Sequence, residues 1–432
     1  MSWRRILYTM TFYLLLPVLL GRLLWKGRNN KAYRQRWQER LGFVSFAALN
    51  VSSDESVKPV ICLHVVSVGE TVAARPLVEQ LLAQFPAYTI WITSMTPTGS
   101  DTVLRLFGDR VEHSYLPYDT PGAVRRFIRR VNPSVFLIME TEIWPNLFAA
   151  CSYQQIPLLL INARLSERSV RRYQRIRDLV GETLRHVTGI MARSEQDAEH
   201  FHLLGARAVS VEVVGDIKFD LFVDEHIGTE ASNLRKEWGQ RPVWCAGSTH
   251  DGEDALILEV HLELRKQYPG LLLILVPRHP ERFGAVAGLC REAGANCVLR
   301  SSGGAVEKDT AVLLGDTMGE LLLWYAASDV AFVGGSMVPV GGHNPLEALH
   351  FSTPVLSGRH VHNFADLYPV LVGAGAVRLV DSTIELRRCL SDWLADHEVR
   401  GLAGQAGRQL LSDNRGVTTR LLEVIHTCLN RV

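Results

Sequence analysis

Short apolar runs rich in Val, Ile and Leu alternate with segments of helical character through most of this 432-residue chain. The runs in the first half lie at 60–66, 89–93, 135–139 and 158–161, and those in the second half at 243–246, 271–276, 311–314, 330–333 and 354–356. Strands that alternate with helices form a parallel sheet with helices on both faces. The pattern fades over a polar, charged stretch near 217–240. The sequence therefore predicts an α/β fold of two doubly wound domains, joined by a linker near 217–240, with the ligand site in the cleft between them.

The first 42 residues differ in charge from the rest of the chain. They contain nine Lys or Arg against one acidic residue, Glu39, which is a balance of +8; since the whole chain carries +1, the remainder carries −7. A basic surface confined to one end argues against general nucleic-acid binding. With 47% hydrophobic and 21% charged residues, the chain is predicted to be globular and not disordered.

Residues 6–25 form an almost continuous apolar segment. About 20 residues of helix match the ~30 Å hydrocarbon core of a bilayer, so we expect an uncleaved membrane anchor. A helix lying in the membrane plane and a buried core helix are the alternatives, and no small-residue cleavage site follows that would indicate a signal peptide. The basic residues on its C-terminal side predict that the folded domains stay in the cytoplasm and that anionic lipids attract this region.

The seven cysteines show no CxxC pair and no regular spacing, and several lie inside apolar runs. This usage fits buried thiols in a reducing compartment. The chain contains neither HExxH nor GxxxxGK, and no group of Cys and His with metal-ligand spacing. The sequence therefore predicts no bound metal and no cofactor.

The segment Ser67-Val-Gly-Glu70 follows the first predicted strand and opens a helix near Thr71. One interpretation is a capping box, in which Ser67 caps the helix and Glu70 reaches back to the Ser67 amide. The other is a carboxylate placed at the carboxyl end of a strand to meet a substrate hydroxyl. A helix N-terminus would keep Glu70 ionised, as a general base requires, but would lower its basicity.

Glu140 and Glu142 follow a later apolar strand, and Pro145 favours a helix start just beyond them. If the strand persists, alternation points both acids to the same side, toward the predicted ligand site. A solvated acidic turn is the alternative interpretation.

Arg164, Arg168 and Arg172 follow the next strand end. Guanidinium groups bind phosphate and carboxylate through paired hydrogen bonds, which suits an anionic acceptor. A charged, exposed helix face is the alternative.

The second half of the chain has the stronger nucleotide signal. Ser248 follows the first strand of this half, and the segment Pro277-Arg278-His279 follows the next one. Backbone amides or an arginine at such strand ends can meet a phosphate or a base. The absence of GxGxxG disfavours a dinucleotide.

A glycine turn at 334–336 leads to a second candidate anion site. Asn344, Pro345 and Glu347 are typical of the N-cap, N1 and N3 positions of a helix, and the end of that helix is predicted to bind an anion. Glu347 would either cap the helix or hold ribose hydroxyls.

Taken in order, these motifs resemble those of the Kdo transferase family, enzymes that add 3-deoxy-D-manno-octulosonic acid (Kdo) to lipid A precursors. The similarity extends over nearly the whole chain. The matching segments are Arg34-Gln-Arg36, Glu39-Arg-Leu-Gly42, His64-Val-Val-Ser-Val-Gly-Glu70, Glu140-Thr-Glu-Ile-Trp-Pro-Asn146, Asn162-Ala-Arg-Leu-Ser166, Gly215-Asp-Ile-Lys218, Ala246-Gly-Ser-Thr249, Pro277-Arg-His279, Gly315-Asp-Thr-Met-Gly-Glu320, Gly334-Gly-Ser336 and Gly341-Gly-His-Asn-Pro-Leu-Glu347.

The resemblance implies a GT-B glycosyltransferase fold of two Rossmann-like domains at the bacterial inner membrane, with both domains on the cytoplasmic side. The expected boundaries are 1–42 for the anchor and basic segment, 43–220 for the acceptor domain and 221–432 for the donor domain. A final helix near 418–428 is expected to cross back and pack on the first domain.

The resemblance also implies metal-independent, inverting transfer of Kdo from CMP-Kdo to the 6′-hydroxyl of a lipid A precursor, with Glu70 as the catalytic base and Glu140 and Glu142 beside it. The predicted donor contacts are Ser248, Pro277, Arg278, His279, Gly315, Met318, Gly319, Glu320, Gly335, Ser336, Asn344 and Glu347. The predicted acceptor and anion contacts are Ser67, Gly69, Arg164, Arg168, Arg172 and Lys218.

Two alternatives stay open from the sequence. One is another GT-B transferase that uses a UDP-sugar and a different membrane acceptor. The other is a two-lobed, membrane-tethered protein that binds a ligand without chemistry.

Overall fold

A computed structural model describes residues 2–29, 31–45, 58–221 and 223–430. The chain divides into two compact units: the first comprises Met1–Asp220 and Arg415–Val432, and the second comprises Leu221–Asn414. The chain therefore enters the second unit once and returns to the first for its last 18 residues.

The described part of the first unit contains a parallel sheet with the strand order β3-β2-β1-β4-β5-β6-β7. Its strands are β1 (Val60–His64), β2 (Thr89–Ser94), β3 (Glu112–Tyr115), β4 (Pro133–Met139), β5 (Leu158–Ala163), β6 (Gly189–Ala192) and β7 (Val211–Val213). Its helices are α1 (Trp3–Asn29), α2 (Val68–Ala73), α3 (Arg75–Gln84), α4 (Pro97–Phe107), α5 (Pro121–Val131), α6 (Pro145–Tyr153), α7 (Glu167–Gln174), α8 (Arg177–Leu184), α9 (Glu195–Leu203) and α18 (Val417–Leu429).

The second unit has its own parallel sheet, with the strand order β10-β11-β9-β8-β12-β13-β14. Its strands are β8 (Val243–Thr249), β9 (Leu272–Pro277), β10 (Cys297–Leu299), β11 (Val312–Leu314), β12 (Val330–Val333), β13 (Val355–Ser357) and β14 (Val377–Leu379). Its helices are α10 (His226–Trp238), α11 (Glu253–Gln267), α12 (Phe283–Glu292), α13 (Leu321–Ala326), α14 (Leu346–Leu349), α15 (Tyr368–Gly373), α16 (Thr383–Ala395) and α17 (His397–Asp413).

The predicted fold of two doubly wound α/β domains is confirmed, and each of the nine predicted apolar runs contains a strand. These strands read as continuous apolar runs because both faces of each parallel sheet are covered and buried. In β1, Ile61 and Leu63 belong to the core on one face, while Cys62 belongs to the core on the other. The strands that sequence reading missed are short and lie at or next to the sheet edges, where a continuous apolar run is not needed.

The predicted linker near 217–240 is wrong over most of its length. Residues His226–Trp238 form helix α10, which buries Ala231 and Trp238 in the second unit. The segment is polar because most of this helix faces solvent, so its apolar periodicity is weak.

Helix α18 completes the hydrophobic core of the first unit. The buried side chains that it contributes are Val417, Leu421, Leu422, Ile425, Cys428 and Leu429. The carboxylate of Asp220 accepts hydrogen bonds from the amides of Gly416 (2.8 Å) and Thr418 (2.5 Å), which ties the start of this helix to the end of the first long segment.

Helix α1 is long and apolar enough to cross a membrane. Within Trp3–Arg28, the most apolar window of 18 residues has a mean hydropathy of 1.6, and only 6% of that window is buried. Its first turns nevertheless contact other elements of the first unit. Arg4 pairs with Asp178 of α8 (2.7 Å), and the Thr9 hydroxyl donates to Asn146 of α6 (3.2 Å). The exposed apolar side chains include Trp3, Leu7, Met10, Leu14, Val18 and Trp25.

The exposed apolar side chains of α1 recur every three or four residues, so most of them lie on one helix face. The contacts of Thr9 are on another face, directed to α6. The helix therefore has one side joined to the protein and one side suited to lipid.

Candidate active site

All strands of a parallel sheet end at the same edge, where doubly wound folds bind their ligands. In the first unit, the central strands β1 and β4 are neighbours. Glu70 follows β1, and Glu140 and Glu142 follow β4, so the three carboxylates emerge from adjacent strand ends. We call this region the first carboxyl edge.

Glu70 lies in a capping box at the start of α2. The Ser67 side chain accepts a hydrogen bond from the Glu70 amide (3.4 Å). The Glu70 carboxylate accepts one from the Val66 amide (2.8 Å) and one from the Ser67 hydroxyl (3.4 Å). The prediction of a capping box is correct, but the Glu70 carboxylate binds the Val66 amide and not the Ser67 amide, and the helix begins at Val68 and not near Thr71.

The capping interpretation and the reactive one are compatible. A carboxylate has about four lone-pair positions, and the Val66 and Ser67 bonds use only two of them. The neighbouring Gly69 adds no bulk here: apart from its chain neighbours and its own helix backbone, the nearest atom to an added Cβ would be the Ser67 hydroxyl oxygen at 3.9 Å. A ligand hydroxyl can therefore approach Glu70.

The expected lowering of Glu70 basicity is wrong. Burial, together with the negative charges of Glu140 and Glu142, raises the pKa of Glu70 to about 7 and outweighs the opposing hydrogen bonds from Val66 and Ser67. Burial and the charge of Glu140 likewise raise the pKa of Glu142 to about 7. Glu140 and Glu142 are half-buried, so the alternative of a solvated acidic turn is also wrong.

The backbone at Glu140 holds this group in an uncommon conformation. Strand β4 ends at Met139, and Glu140 has φ 59°, which costs a non-glycine residue about 1–3 kcal/mol. Its amide donates to the Ile161 carbonyl (3.0 Å), and the Thr141 hydroxyl donates to the Arg164 carbonyl. The acids are therefore positioned by this turn and by the loop after β5, and not by the persisting strand that alternation assumed.

The predicted cations of the first unit differ in exposure. Arg164 and Lys218 are half-buried, whereas Arg168 and Arg172 are exposed on α7. The alternative interpretation, a charged and exposed helix face, therefore describes Arg168 and Arg172. Exposed guanidinium groups remain available to an anionic ligand.

Asn162 is a residue of this edge that sequence reasoning left without a role. It is fully buried at the end of β5 with φ 47°, and its side-chain oxygen accepts a hydrogen bond from the Ile217 amide (3.0 Å). It thus fixes the loop that carries Lys218. Only its place in the family-like segment at 162–166 marked it in the sequence.

In the second unit, Ser248 and Arg278 lie at the ends of the adjacent strands β8 and β9. Ser248 is buried with φ 56°, Arg278 is half-buried and His279 is exposed. The Arg278 amide donates to the Thr249 carbonyl (3.0 Å), which joins the two strand ends. Pro277 is the last residue of β9. We call this region the second carboxyl edge.

The glycine turn after β12 already holds an anion, the carboxylate of Glu253. This buried group accepts hydrogen bonds from the amides of Gly335 (2.7 Å), Ser336 (3.0 Å), Met337 (2.9 Å) and His250 (2.9 Å). The amides of Gly335, Ser336 and Met337 are therefore already occupied by a carboxylate of the protein. Donor binding by Gly335 or Ser336 stays a prediction, and it would have to use atoms of the turn other than these amides.

The loop at 315–320 is tied to its surroundings through Glu320. This carboxylate pairs with Arg300 (2.7 Å) and accepts from the Thr317 hydroxyl. Burial raises the pKa of Glu320, but these two partners outweigh it and leave the pKa below its usual value. Gly315 packs against Val276. Met318 is 56% exposed and Gly319 has φ 90°, so the tip of the loop remains open to a ligand.

The helix that follows the second glycine pair is only one turn long. Helix α14 spans Leu346–Leu349, and the Asn344 side chain accepts from the Leu346 amide (3.1 Å). One helical turn has little dipole, so the predicted anion site at this helix end loses its physical basis. Burial raises the pKa of Glu347 to about 7, against the lowering effects of Asn344 and the nearby charge of Arg278.

Comparison with known proteins identifies the family. The model of the 3-deoxy-D-manno-octulosonic-acid transferase (kdotransferase) family matches residues 35–221. A 3-deoxy-D-manno-octulosonic acid transferase of Haemophilus influenzae is 41% identical over 429 residues, which cover 99% of each chain. The enzyme of the same name from Bordetella pertussis is 35% identical and covers 98% of this chain and 99% of its own.

A solved structure supports the fold alone. The UDP-GlcNAc 2-epimerase of Neisseria meningitidis bound to UDP-GlcNAc matches with a TM-score of 0.54 at 16% identity, over 85% of this chain and 100% of that one. The resemblance seen in the sequence motifs is thereby confirmed by the two full-length relatives. The chain belongs to the 3-deoxy-D-manno-octulosonic acid transferase family of glycosyltransferases.

Proposed function

We propose that this glycosyltransferase moves Kdo from CMP-Kdo to the 6′-hydroxyl of a lipid A precursor, with inversion, and that Glu70 is the catalytic base. The observation that carries the proposal is the half-buried Glu70 carboxylate at the first carboxyl edge, beside two other carboxylates and an open glycine. Family membership supports the sugar and the reaction class.

The raised pKa of Glu70 suits a general base. Proton transfer is most efficient when the pKa of the base lies near the working pH, and burial with two acidic neighbours brings the pKa of Glu70 to about 7. In the proposed step, the acceptor oxygen forms a bond to the anomeric carbon of Kdo while the bond from that carbon to the CMP phosphate oxygen breaks. The hydroxyl proton passes to Glu70, and CMP leaves with the bonding electrons.

The second carboxyl edge supplies the positive charge that a departing CMP needs. Arg278 lies close enough to Glu347 and to His343 to influence the pKa of both. We propose that Arg278 and the imidazoles near it, including His279, stabilise the leaving phosphate without a divalent cation. The open loop tip at Met318 and Gly319, together with Asn344 and Glu347, is assigned to the cytidine and ribose.

The acceptor is proposed to meet the first unit through its phosphates. Arg168 and Arg172 are exposed on α7, and Arg164 and Lys218 are half-buried close to the ends of β5 and β7. Such cations suit the phosphates of a lipid A precursor and the Kdo carboxylate.

Helix α1 is proposed to hold the enzyme at the cytoplasmic face of the inner membrane, where such an acceptor lies. Its exposed apolar face and the basic residues that follow it fit a surface of anionic lipids. Because Arg4 and Thr9 already contact the first unit, membrane attachment would bring the first unit close to the bilayer.

The direct test is incubation of the purified protein in detergent with a tetraacylated lipid A precursor and a CMP-Kdo supply. Mass spectrometry of the product should show added Kdo and count the sugars. A reaction that proceeds with a UDP-sugar, or is competed by UDP and not by CMP, would overturn the assignment of CMP-Kdo as the donor.

Full activity is expected after divalent cations are removed with EDTA. Loss of activity under these conditions would overturn the metal-independent mechanism.

A further inference from the structure

Two histidines at the second carboxyl edge are joined directly to each other. His250 follows β8 and His343 precedes α14, and their Nε2 atoms are 2.8 Å apart. The two ring planes differ by 11° and the ring centres are 5.1 Å apart. With so short a nitrogen contact, these values describe two nearly coplanar rings joined end to end by a hydrogen bond. We call them the imidazole pair.

The surroundings fix the imidazole pair in place. The His250 amide is bound by the Glu253 carboxylate, the same group that holds the glycine turn. A Cβ at Gly335 would lie 3.2 Å from a His343 carbon and 3.3 Å from a His250 carbon. The turn therefore packs against both rings, and only a residue without a side chain fits there at φ 68°.

The hydrogen bond dictates what the pair can do chemically. A neutral imidazole has one N–H and one lone pair, so one ring must donate from Nε2 and the other must accept. The outer Nδ1 atoms then present one acceptor and one donor. Uptake of one proton turns the acceptor into a donor and makes the pair a cation with two outward N–H groups. A second proton would break the bond between the rings.

The charges that face the pair keep it neutral in the absence of a ligand. Burial and the nearby His250, Arg278 and His279 lower the pKa of His343 to about 4. Burial, His279, Arg282 and Arg278 also lower the pKa of His250, against the opposing charge of Glu253. An oxyanion placed beside Arg278 would offset its charge and so favour protonation of the pair.

We propose that His250 and His343 bind an oxyanion of the donor substrate and take up one proton as they do so. The proposal rests on the assignment of the donor to the second unit and adds two residues that the family-like motifs did not assign. The oxyanion is either the phosphate of the nucleotide or the carboxylate of the sugar. Proton uptake would convert the pair into a hydrogen-bond donor set for the group that carries the leaving negative charge.

The test is isothermal titration of CMP into the full-length protein at pH 7, in two buffers with different ionisation enthalpies, which yields the number of protons taken up. The variants His250→Gln and His343→Gln keep a neutral hydrogen-bonding side chain but cannot titrate at this pH. His397→Gln, which changes an exposed histidine of α17, is the matched control. Thermal unfolding checks that each variant is folded.

For each CMP bound, wild type and His397→Gln are expected to take up as much as one proton more than either pair variant. Across the pH range in which that uptake occurs, wild-type CMP affinity should weaken by up to about tenfold per unit rise in pH, relative to the variants. Cytidine, which lacks the phosphate, should show no such difference. If the carboxylate is the partner, CMP shows no difference and the uptake appears when free Kdo is added to the CMP complex.

Equal proton uptake in wild type and both pair variants, with CMP alone and with CMP plus Kdo, would overturn the proposal while leaving CMP as the donor nucleotide. Failure of wild type to bind CMP at all would overturn the donor assignment and the pair together. If both variants fail to fold, the two-buffer titration of wild type decides alone, since a proton count of zero or below both with CMP and with CMP plus Kdo contradicts the uptake.

Discussion

The central strands of the two sheets lead to different ionisable groups. The first presents Glu70, Glu140 and Glu142, whereas the second presents Arg278 and several imidazoles. This division matches the two needs of glycosyl transfer, because a base must accept a proton from the acceptor and cations must hold the leaving phosphate.

A closer comparison concerns two glutamates, Glu70 and Glu253, each of which lies near the start of the helix that follows a central strand of its sheet. Glu253 accepts four backbone N–H groups, which saturate its two oxygens. Glu70 accepts one N–H and one hydroxyl and faces two like charges. The same place in the fold therefore holds a fully hydrogen-bonded carboxylate in one unit and, in the other, a carboxylate with acceptor positions to spare, which we propose as the base.

The sharpest test of this contrast is Glu70→Gln. Since a side-chain amide cannot take up the proton of the acceptor hydroxyl, we expect kcat to fall on the order of 10³-fold, which corresponds to about 4 kcal/mol in the activation barrier. CMP affinity and stability should stay close to wild type. Turnover of a lipid A precursor and CMP titration measure the two effects, with Glu199→Gln on the exposed face of α9 as the control. Retained turnover would remove Glu70 from the mechanism.

Glu253→Gln should show the reverse pattern. A Gln oxygen can satisfy at most two of the four amides, and the remaining buried N–H groups lose a charged acceptor. We expect the second unit to lose about 3 kcal/mol of unfolding free energy, and hydrogen exchange followed by mass spectrometry should locate the faster exchange there. A variant with unchanged protection around Gly335 but no transfer activity would contradict the structural role of Glu253.

Arg278→Ala tests the basic character of the second edge. Loss of a charge-assisted hydrogen bond to phosphate costs about 1.5–3 kcal/mol, so CMP should bind on the order of 10- to 100-fold more weakly. Arg291→Ala, on the exposed surface of α12, should leave the affinity unchanged. Equal CMP affinity in wild type and Arg278→Ala would mean that the second edge does not hold the phosphate through this residue.

Much of the fold, and the candidate base Glu70, could be predicted from the sequence. The apolar runs gave nine of the strands, and the ordered motifs led to the family and to Glu70. The strand periodicity succeeded because buried parallel strands need continuous apolar residues. It failed for short strands such as Val211–Val213, in which Glu212 and Val213 are exposed. Helix α10 was missed because its large exposed face hides the helical pattern.

The electrostatics could not be read from local sequence. The position of Glu70 at a helix N-terminus predicted a lowered basicity, but its pKa depends on burial and on Glu140 and Glu142, which are about 70 residues away in the chain. Glu253 was missed for the same reason, since its partners at 335–337 are brought to it only by the pairing of β8 with β12. Long-range contacts decide which carboxylate is saturated and which stays reactive.

The smallest expected effect concerns the acidic neighbours of Glu70. If the ionised carboxylate is the base, activity falls as the pH drops through the pKa of Glu70, which is about 7. Because the charges of Glu140 and Glu142 raise that pKa, Glu140→Gln and Glu142→Gln should lower it and move the acidic limb of the kcat/KM profile to lower pH. The larger influence of Glu140 predicts the larger shift for Glu140→Gln, within about one pH unit or 1.4 kcal/mol.

The position of the limb is the readout, since either variant can also lower the rate at its plateau. The direction in which the limb moves is fixed by the sign of the charge that each substitution removes. A limb that stays in place in both variants, or moves to higher pH, would show that the acidic cluster does not set the basicity of Glu70 and would reduce the contrast with Glu253 to hydrogen bonding alone.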